Sequence, residues 1–382
     1  MRLLHVADRL NDRGGAAVHL LAILEALRAS HEMLLVVGTD EGTAGTPCRK
    51  RVEPGLASRT RRPVDLSAVV RDFRPDVVHL HNVMNPVVLE WAAGEPRAAN
   101  GSRVPVVLTV QDHRYFCPTR GKWTREGWPC REAMSSSVCA ACFEDEAYFR
   151  EILALTGERL AAVRQLPLVV LSSYMKMELE AAGVPAGQVR VIPPFVHGLD
   201  TTAAPAGPPC VLFVGRLVEA KGVRDAALAW RGSRVELPLV VAGTGPLREE
   251  LAAEPGVEVT GWVPRARLAG FYARARVLLM PSRWQEPFGI VGLEALQYGV
   301  PVAAYDSGGI REWHPGPGLV PWGNVDALAA ALREAVTLRA HPAPGFDRAP
   351  LMQRLVDLYH ELCSPRAVAH PAISRTWPRG RA

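Results

Sequence analysis

The feature that most constrains this chain is a pattern that runs twice. Short apolar, β-branched runs alternate with amphipathic stretches, stop at a Pro-rich break, and start again. Leu3–Ala7, Met33–Val37, Val77–Leu80, Val104–Val110, Leu168–Leu171 and Val189–Ile192 read as strands, and Ala16–Ala29 follows the first with helical spacing. Strands this apolar are buried on both faces, which means a parallel sheet covered by helices. Right-handed crossovers then make it doubly wound. Residues 201–209, TTAAPAGPP, read as a linker. Beyond it, Val211–Val214, Leu239–Ala242, Val257–Thr260, Val277–Met280 and Val302–Ala304 repeat the pattern.

A chain of 382 residues exceeds one ordinary core, so two domains are expected. The fold class is α/β: two Rossmann-like, doubly wound domains, 1–200 and 210–345, facing a central cleft. Ligands of such sheets sit at the carboxyl ends of the strands. Residues 346–382 form a C-terminal helix, patterned at Leu351–Cys363, and a tail rich in Pro, Arg and Ala without a period, expected to be partly disordered or to lie along the surface.

Net charge is +5, which suits an anionic ligand or a membrane surface and does not demand nucleic acid. Basic residues gather at Arg49, Lys50, Arg51, Arg59, Arg61 and Arg62, and again at Arg375, Arg379 and Arg381. They read as solvated loop charge, with peripheral contact on an anionic membrane as the alternative. No run reaches the ~18 uninterrupted apolar residues of a membrane span. The opening MRLLHVADRL is interrupted by His5, Asp8 and Arg9 and reads as a first strand, not an export signal. Seven cysteines, an odd number, fit a reducing compartment, so a cytoplasmic location is expected.

Four strand-to-helix loops carry residues suited to a phosphorylated ligand. Gly14-Gly15 lets backbone approach an anion at a helix N-terminus; a plain flexible turn is the rival reading. In Gly215-Arg216-Leu217-Val218-Glu219-Ala220-Lys221-Gly222, a fork-shaped guanidinium and a compact ammonium suit a diphosphate. Gly243-Thr244-Gly245-Pro246 is a further Gly-rich turn, with Pro246 placed in the first turn of the next helix. The fourth loop, Pro281 to Ala295, reads PSRWQEPFGIVGLEA. Its helix opens near Phe288, Gly289 and Ile290 and can hold a phosphate there, while Glu286 and Glu294 reach opposite ends of one ligand. Glu294, on an otherwise apolar helix, needs a partner if buried.

This E-x7-E frame, preceded by G-R-L-x-x-x-K-G, resembles family 4 of the retaining glycosyltransferases with the GT-B fold. The Gly-Gly loop, the DVVHLH run at Asp76–His81, the SSYM run at Ser172–Met175 and Ser307-Gly308-Gly309 extend the likeness over nearly the whole chain. The resemblance implies a metal-independent, retaining transfer from a UDP-, GDP- or ADP-sugar donor to a glycan, lipid or small-molecule acceptor. Arg216 and Lys221 would bind the donor diphosphate, Glu294 the ribose, and Glu286 the transferred sugar. Gly14, Gly15, Gly215, Gly243, Gly245, Phe288, Gly289 and Ile290 would line the donor site. No cofactor is required, and no D-x-D motif is present. The rival readings are a GT-B sugar-nucleotide epimerase and a non-catalytic sugar-nucleotide-binding protein.

One position departs from the family. Gln111 stands where a His is common after the strand ending at Val110, leaving Gln111, Asp112, His113 and His81 as acceptor-side candidates. His79 and His81 are expected at a strand end on the same cleft, in a structural or a functional role. Residues 113–150 are an insertion holding Tyr115, Phe116, Trp123, Trp128 and Cys117, Cys130, Cys139 and Cys142. The last two cysteines are spaced C-x2-C, so a structural zinc is one reading, beside buried reduced thiols and a redox disulfide. The two tryptophans either stack on an acceptor sugar or close the insertion's own core.

Overall fold

Strands that are apolar on both faces need helices on both sides, and both halves of the chain are built that way. The computed structural model describes residues 1–11, 13–43, 45–119 and 121–364. The tail from residue 365, with Arg375, Arg379 and Arg381, lies outside the described residues.

The first sheet holds β1 (Arg2–Leu10), β2 (Glu32–Asp40), β3 (Arg49–Val52), β4 (Val77–His81), β5 (Val106–Val110), β6 (Leu168–Val170) and β7 (Val189–Val191). Its order is β3-β2-β1-β4-β5-β6-β7. The second holds β8 (Cys210–Val214), β9 (Leu239–Ala242), β10 (Val257–Gly261), β11 (Ala275–Met280), β12 (Val302–Tyr305) and β13 (Leu319–Val320), in the order β10-β9-β8-β11-β12-β13. Every pairing is parallel. Both orders reverse direction beside their own first strand, at β1/β4 and at β8/β11. These are the switch points where doubly wound sheets bind ligands.

Two local expectations are corrected. Arg49, Lys50 and Arg51 belong to β3, an exposed edge strand. Cations on an edge discourage pairing with a second sheet. Lys50 also pairs with Asp40, Arg51 with Glu53, and Arg61 with both Glu90 and Glu158. Second, the helix after β9 begins at Arg248, so Pro246 lies in the turn ahead of it. The stretch 201–209 carries no helix or strand, and its Ala206 amide donates to the Gly270 carbonyl at 2.9 Å.

The helix Arg348–Cys363 crosses back to the first half. Its Leu355, Leu358 and Tyr359 pack with Leu3, Val77 and Val107 under the first sheet. Beneath it lie His5, His79 and His81, placed side by side because β1 and β4 pair His5 with His79. Tyr359 Oη and His79 Nδ1 are 2.6 Å apart, His79 Nε2 and Thr109 Oγ1 2.6 Å, and His5 Nδ1 and His81 Nε2 2.9 Å. These two histidines of β4 are therefore core residues and do not face the cleft.

Burial, helped by the His31 charge, pushes His5 down to about 3, and burial, helped by the neighbouring histidines, holds His79 and His81 well below their ordinary 6.5. The unfolded chain takes up these protons first, so stability falls as pH drops from 6.5 toward 3. Asp8, raised to about 7 by burial, works in the opposite direction, as one group against several. The melting temperature is expected to decline steadily below pH 6.5. Tyr359→Phe, which strips His79 of a partner, is expected to cost about 1–3 kcal/mol by denaturant titration. A flat melting temperature through that range, or a neutral Tyr359→Phe, contradicts a neutral, hydrogen-bonded cluster.

Candidate active site

Both switch points open on one cleft of about 590 Å³. From the first half it is lined by Gly14, Gly15, His19, Asn82, Gln111 and Asp112, and from the second by Gly215, Arg216, Lys221, Gly243, Glu286 and Glu294, with Phe288, Gly289 and Ile290 beside them.

The loops of the second half are tied to one another through backbone. Gly215 N donates to Ala242 O at 3.1 Å and Leu217 N to Thr244 O at 2.8 Å, joining the loops after β8 and β9. Arg283 N and Trp284 N both donate to Ala220 O, at 3.0 and 3.1 Å, joining the loops after β8 and β11. The latter approach requires Gly222. Its φ is +66°, and a Cβ there would collide with the Pro281 carbonyl. Gly245, expected in the pocket, instead packs under this wall against the Leu217 backbone.

The lashed loops bring Lys221 Nζ to 2.6 Å from Glu286 Oε1. The Ser282 hydroxyl donates to the same oxygen. Glu286 is only 5% exposed. Burial alone would raise its pKa, but the Lys221 charge and hydrogen bonds from Lys221 and Ser282 outweigh it, and the carboxyl stays below its ordinary value. Burial lowers the Lys221 pKa against the upward pull of Glu286. The result is a closed ion pair at the cleft wall, with Arg216 beside it.

Glu294 is 1% exposed. Its cost of burial is met by Arg265 Nη1, donating to Oε1 at 2.7 Å, and by Tyr272 Oη, donating to Oε2 at 2.7 Å. Arg265 is itself fixed by His197 O at 2.7 Å. Each carboxylate oxygen keeps acceptor capacity for a ligand hydroxyl. The helix bearing Glu294, Ile290–Gln297, starts from Gly289 with no side-chain cap. The helix Gly15–Leu27 starts from Gly14, also without one. A Cβ on Gly15 would sit 3.6 Å from Ile290 Cγ2, so the two uncapped N-termini nearly touch across the cleft. Unpaired N–H groups and two positive helix ends thus converge where an anion could sit.

On the first-half side, Gln111 Nε2 lies 2.8 Å from His19 Nδ1. Burial pushes His19 down to about 4, so the ring is neutral and Nδ1 accepts from the Gln111 carboxamide. That leaves the Gln111 carbonyl oxygen as the free acceptor. Asp112 is gripped by Arg114 through Nε at 2.9 Å and Nη2 at 2.6 Å. Two candidates are not brought here. His81 lies in the core cluster, and His113 is buried with Nε2 3.0 Å from Tyr174 Oη.

The four cysteines of the insertion are free thiols. Among the described residues, the three-ligand group within 4.8 Å is His5, His79 and His81, not any three of Cys117, Cys130, Cys139 and Cys142. In the histidine group, both nitrogens of His79 are already hydrogen-bonded, so it reads as core and not as a metal centre.

Sequence reasoning did not find Ser282, Trp284, Arg265, Tyr272 or His19. Only Ser282 and Trp284 had a signal, their place inside the E-x7-E frame.

Residues 14–194 match the Glycosyl transferase 4-like domain, and residues 208–337 match Glycosyl transferases group 1. The chain is 36% identical over 375 residues to the 2-deoxystreptamine N-acetyl-D-glucosaminyltransferase of Streptomyces fradiae, covering 85% of this chain and 83% of that protein. It belongs to the family 4, group 1 glycosyl transferases. It is 29% identical over 290 residues to glycogen synthase of Mycobacterium tuberculosis, covering 70% of this chain and 61% of that enzyme's length. The family's GT-B architecture is also that of the Anabaena protein HepE, solved with UDP and glucose. There the TM-score is 0.65 at 18% identity, covering 94% of this chain and all of that one.

Within this family frame, the Lys221–Glu286 pair makes a specific stability prediction. Lys221→Met leaves Glu286 buried without its cation and is expected to cost about 3 kcal/mol near about pH 8. The deficit should shrink on acidification, because the unpaired carboxyl then ionises only above its ordinary 4.5 and binds a proton in the folded state first. A pH-independent deficit, read by chemical denaturation, contradicts the ion pair.

Proposed function

We propose that this protein transfers a sugar from a nucleoside-diphosphate sugar to an acceptor hydroxyl, with retention of anomeric configuration and without a divalent ion. The observation that carries the reading is that two cations, Arg216 and Lys221, and two buried carboxylates, Glu286 and Glu294, share the walls of one interdomain cleft. The reacting bond runs from the sugar anomeric carbon to the diphosphate oxygen, so the barrier is set largely by charge developing on the leaving diphosphate. Arg216, Lys221 and the uncapped helix starts at Gly15 and Ile290 are fixed donors and positive ends for that charge. Glu294, steadied by Arg265 and Tyr272, takes the ribose hydroxyls, and Glu286 takes hydroxyls of the transferred sugar.

The acceptor enters from the Gln111–Asp112 side, where Asn82, Gln111 and Asp112 line the first-half wall. The Streptomyces fradiae relative, named for its action on 2-deoxystreptamine, aligns along most of the chain. A small polyhydroxylated acceptor is therefore the first class to test. His19 holds Gln111 in place of a titrating base, which fits same-face attack in which the departing phosphate takes the acceptor proton. A sugar-nucleotide epimerase or a silent binding protein is not favoured, because the relatives named above are transferases. Membrane docking is not part of the proposal: Lys50, Arg51 and Arg61 of the basic cluster are already paired with carboxylates. Among the described residues, no helix is long and apolar enough to cross a membrane.

The test is turnover of UDP-, GDP- and ADP-sugars with aminocyclitol and simple sugar acceptors, with and without EDTA, the product's anomeric configuration being read by NMR. Retention and an EDTA-insensitive rate are expected. Arg216→Ala is expected to lower kcat about 10²–10³-fold. Inversion, or loss of activity in EDTA with recovery on a divalent ion, sinks the mechanism. Release of free epimerised nucleotide sugar sinks the transferase reading itself.

A further inference from the structure

The insertion at residues 113–150 is left unexplained by the fold and by the reaction. Its middle forms a small hairpin. Thr124 N donates to Trp128 O at 2.7 Å, Cys130 N to Lys122 O at 2.8 Å, and Trp123 bridges Pro129. Lys122, 5% exposed, anchors it to the first domain: Nζ donates to Glu132 O at 2.6 Å and pairs with Glu178 at 3.2 Å. From that anchor the hairpin reaches the second domain at the loop that carries Glu286.

The contact there is close. Gly121 O accepts from Gln285 N at 2.8 Å. Gly121 has φ +91°, and a Cβ on it would lie 2.6 Å from Trp284 Cβ and 2.8 Å from its Cε3. Gly121 thus lies flat on Trp284, in a conformation and a space that only glycine fits. At the hairpin tip the Trp128 ring stands 5.8 Å from Trp322, whose Nε1 donates to Arg283 O at 2.9 Å. Arg283 is held in turn by a bidentate pair with Asp225 at 2.9 and 2.8 Å. Both flanks of Trp284 are therefore fixed.

The Trp284 ring carries the two cations. Lys221 Nζ lies 4.2 Å from its centroid and Arg216 Cζ 5.5 Å. Both fall within the range in which an aromatic face attracts a cation. Trp284 lines the cleft, and its buried Nε1 has no hydrogen-bond partner.

We propose that the insertion hairpin is a positioning element of the donor site: Gly121 seats Trp284, and Trp284 presents Arg216 and Lys221 together to a diphosphate. Trp284 and Gly121 are positioning residues that act through the two cations. The inference rests on the nucleotide-sugar reading for the identity of the ligand, but not for the role of the ring.

Full-length wild type, Gly121→Ala, Trp284→Leu and Trp284→Phe are titrated by calorimetry with UDP, GDP, uridine, guanosine and inorganic pyrophosphate. Trp284→Leu and Gly121→Ala are each expected to weaken UDP or GDP, and pyrophosphate, about tenfold. Nucleoside affinity should stay unchanged, which also reports that the pocket is folded. Trp284→Phe, keeping a ring face, should recover most of the loss. Equal losses for nucleoside and diphosphate, no loss in Gly121→Ala, or no recovery in Trp284→Phe overturns the proposal. Should Gly121→Ala fail to fold, the Leu and Phe variants decide it. Wild type that binds pyrophosphate and no nucleotide sinks the sugar-nucleotide reading alone, and the pyrophosphate arm still decides the positioning role. Wild type that binds neither overturns both.

Discussion

The site depends on one buried ion pair, Lys221 with Glu286, and on the backbone that allows it. A lysine and a glutamate at 2.6 Å, largely withdrawn from water, are stable only if both stay in register. That register is held by carbonyl 220, which accepts two amides from the loop after β11, and by Gly222, which lets the Pro281 carbonyl pass. The strands contribute less directly. Their parallel order places β8 and β11 side by side, so the two loops emerge as neighbours. Everything finer is done by loop backbone, which explains why glycine recurs where the loops meet.

Much of this was legible in the sequence. Buried parallel strands advertise themselves as unbroken apolar runs, so the two sheets and the break between them could be read directly. The charged loops of the cleft were legible because Arg216, Lys221, Glu286 and Glu294 follow strand ends, where a doubly wound sheet leaves its binding crevice. The misreadings share a cause. His79 and His81 were placed by their strand end, but side chains alternate across a strand, and theirs fall on the face covered by the last helix. That helix closes in sequence on the second domain and in space on the first, a contact no local pattern encodes. The basic run at 49–51 carries no apolar signal, because an edge strand can be exposed and charged.

The partners of Glu294 show the limit more sharply. A glutamate on an apolar helix announces that something must compensate it. It does not say what. Arg265 and Tyr272 stand on the helix after β10, 29 and 22 residues away, and only the packing of that helix brings both to one carboxylate. His19 was hidden in the same way. It lies on an apolar helix face and becomes relevant because Gln111, the residue after β5, stands opposite it.

Lys221 is committed to Glu286 and to the face of Trp284, so its charge is already spoken for. A diphosphate entering the cleft meets an ammonium that already has Glu286 and the Trp284 ring as partners and one N–H donor left over. Arg216 has no such commitment: its contact is the Trp284 ring, and its guanidinium can meet the ligand in bidentate fashion. The two cations therefore differ in kind. Arg216 is available from the start, whereas Lys221 gains by sharing, because a second anion on its free side adds attraction without breaking the first pair. That division needs Glu286 to remain ionised, and the hydroxyl of Ser282 on the same oxygen helps to keep it so. It also needs the ring of Trp284 to stay beside both cations, where its negative face offsets part of their mutual repulsion. The wall of the cleft is thus a balanced charge cluster held by the protein's own side chains and backbone, and preorganisation of that kind is what a developing charge on a leaving group requires.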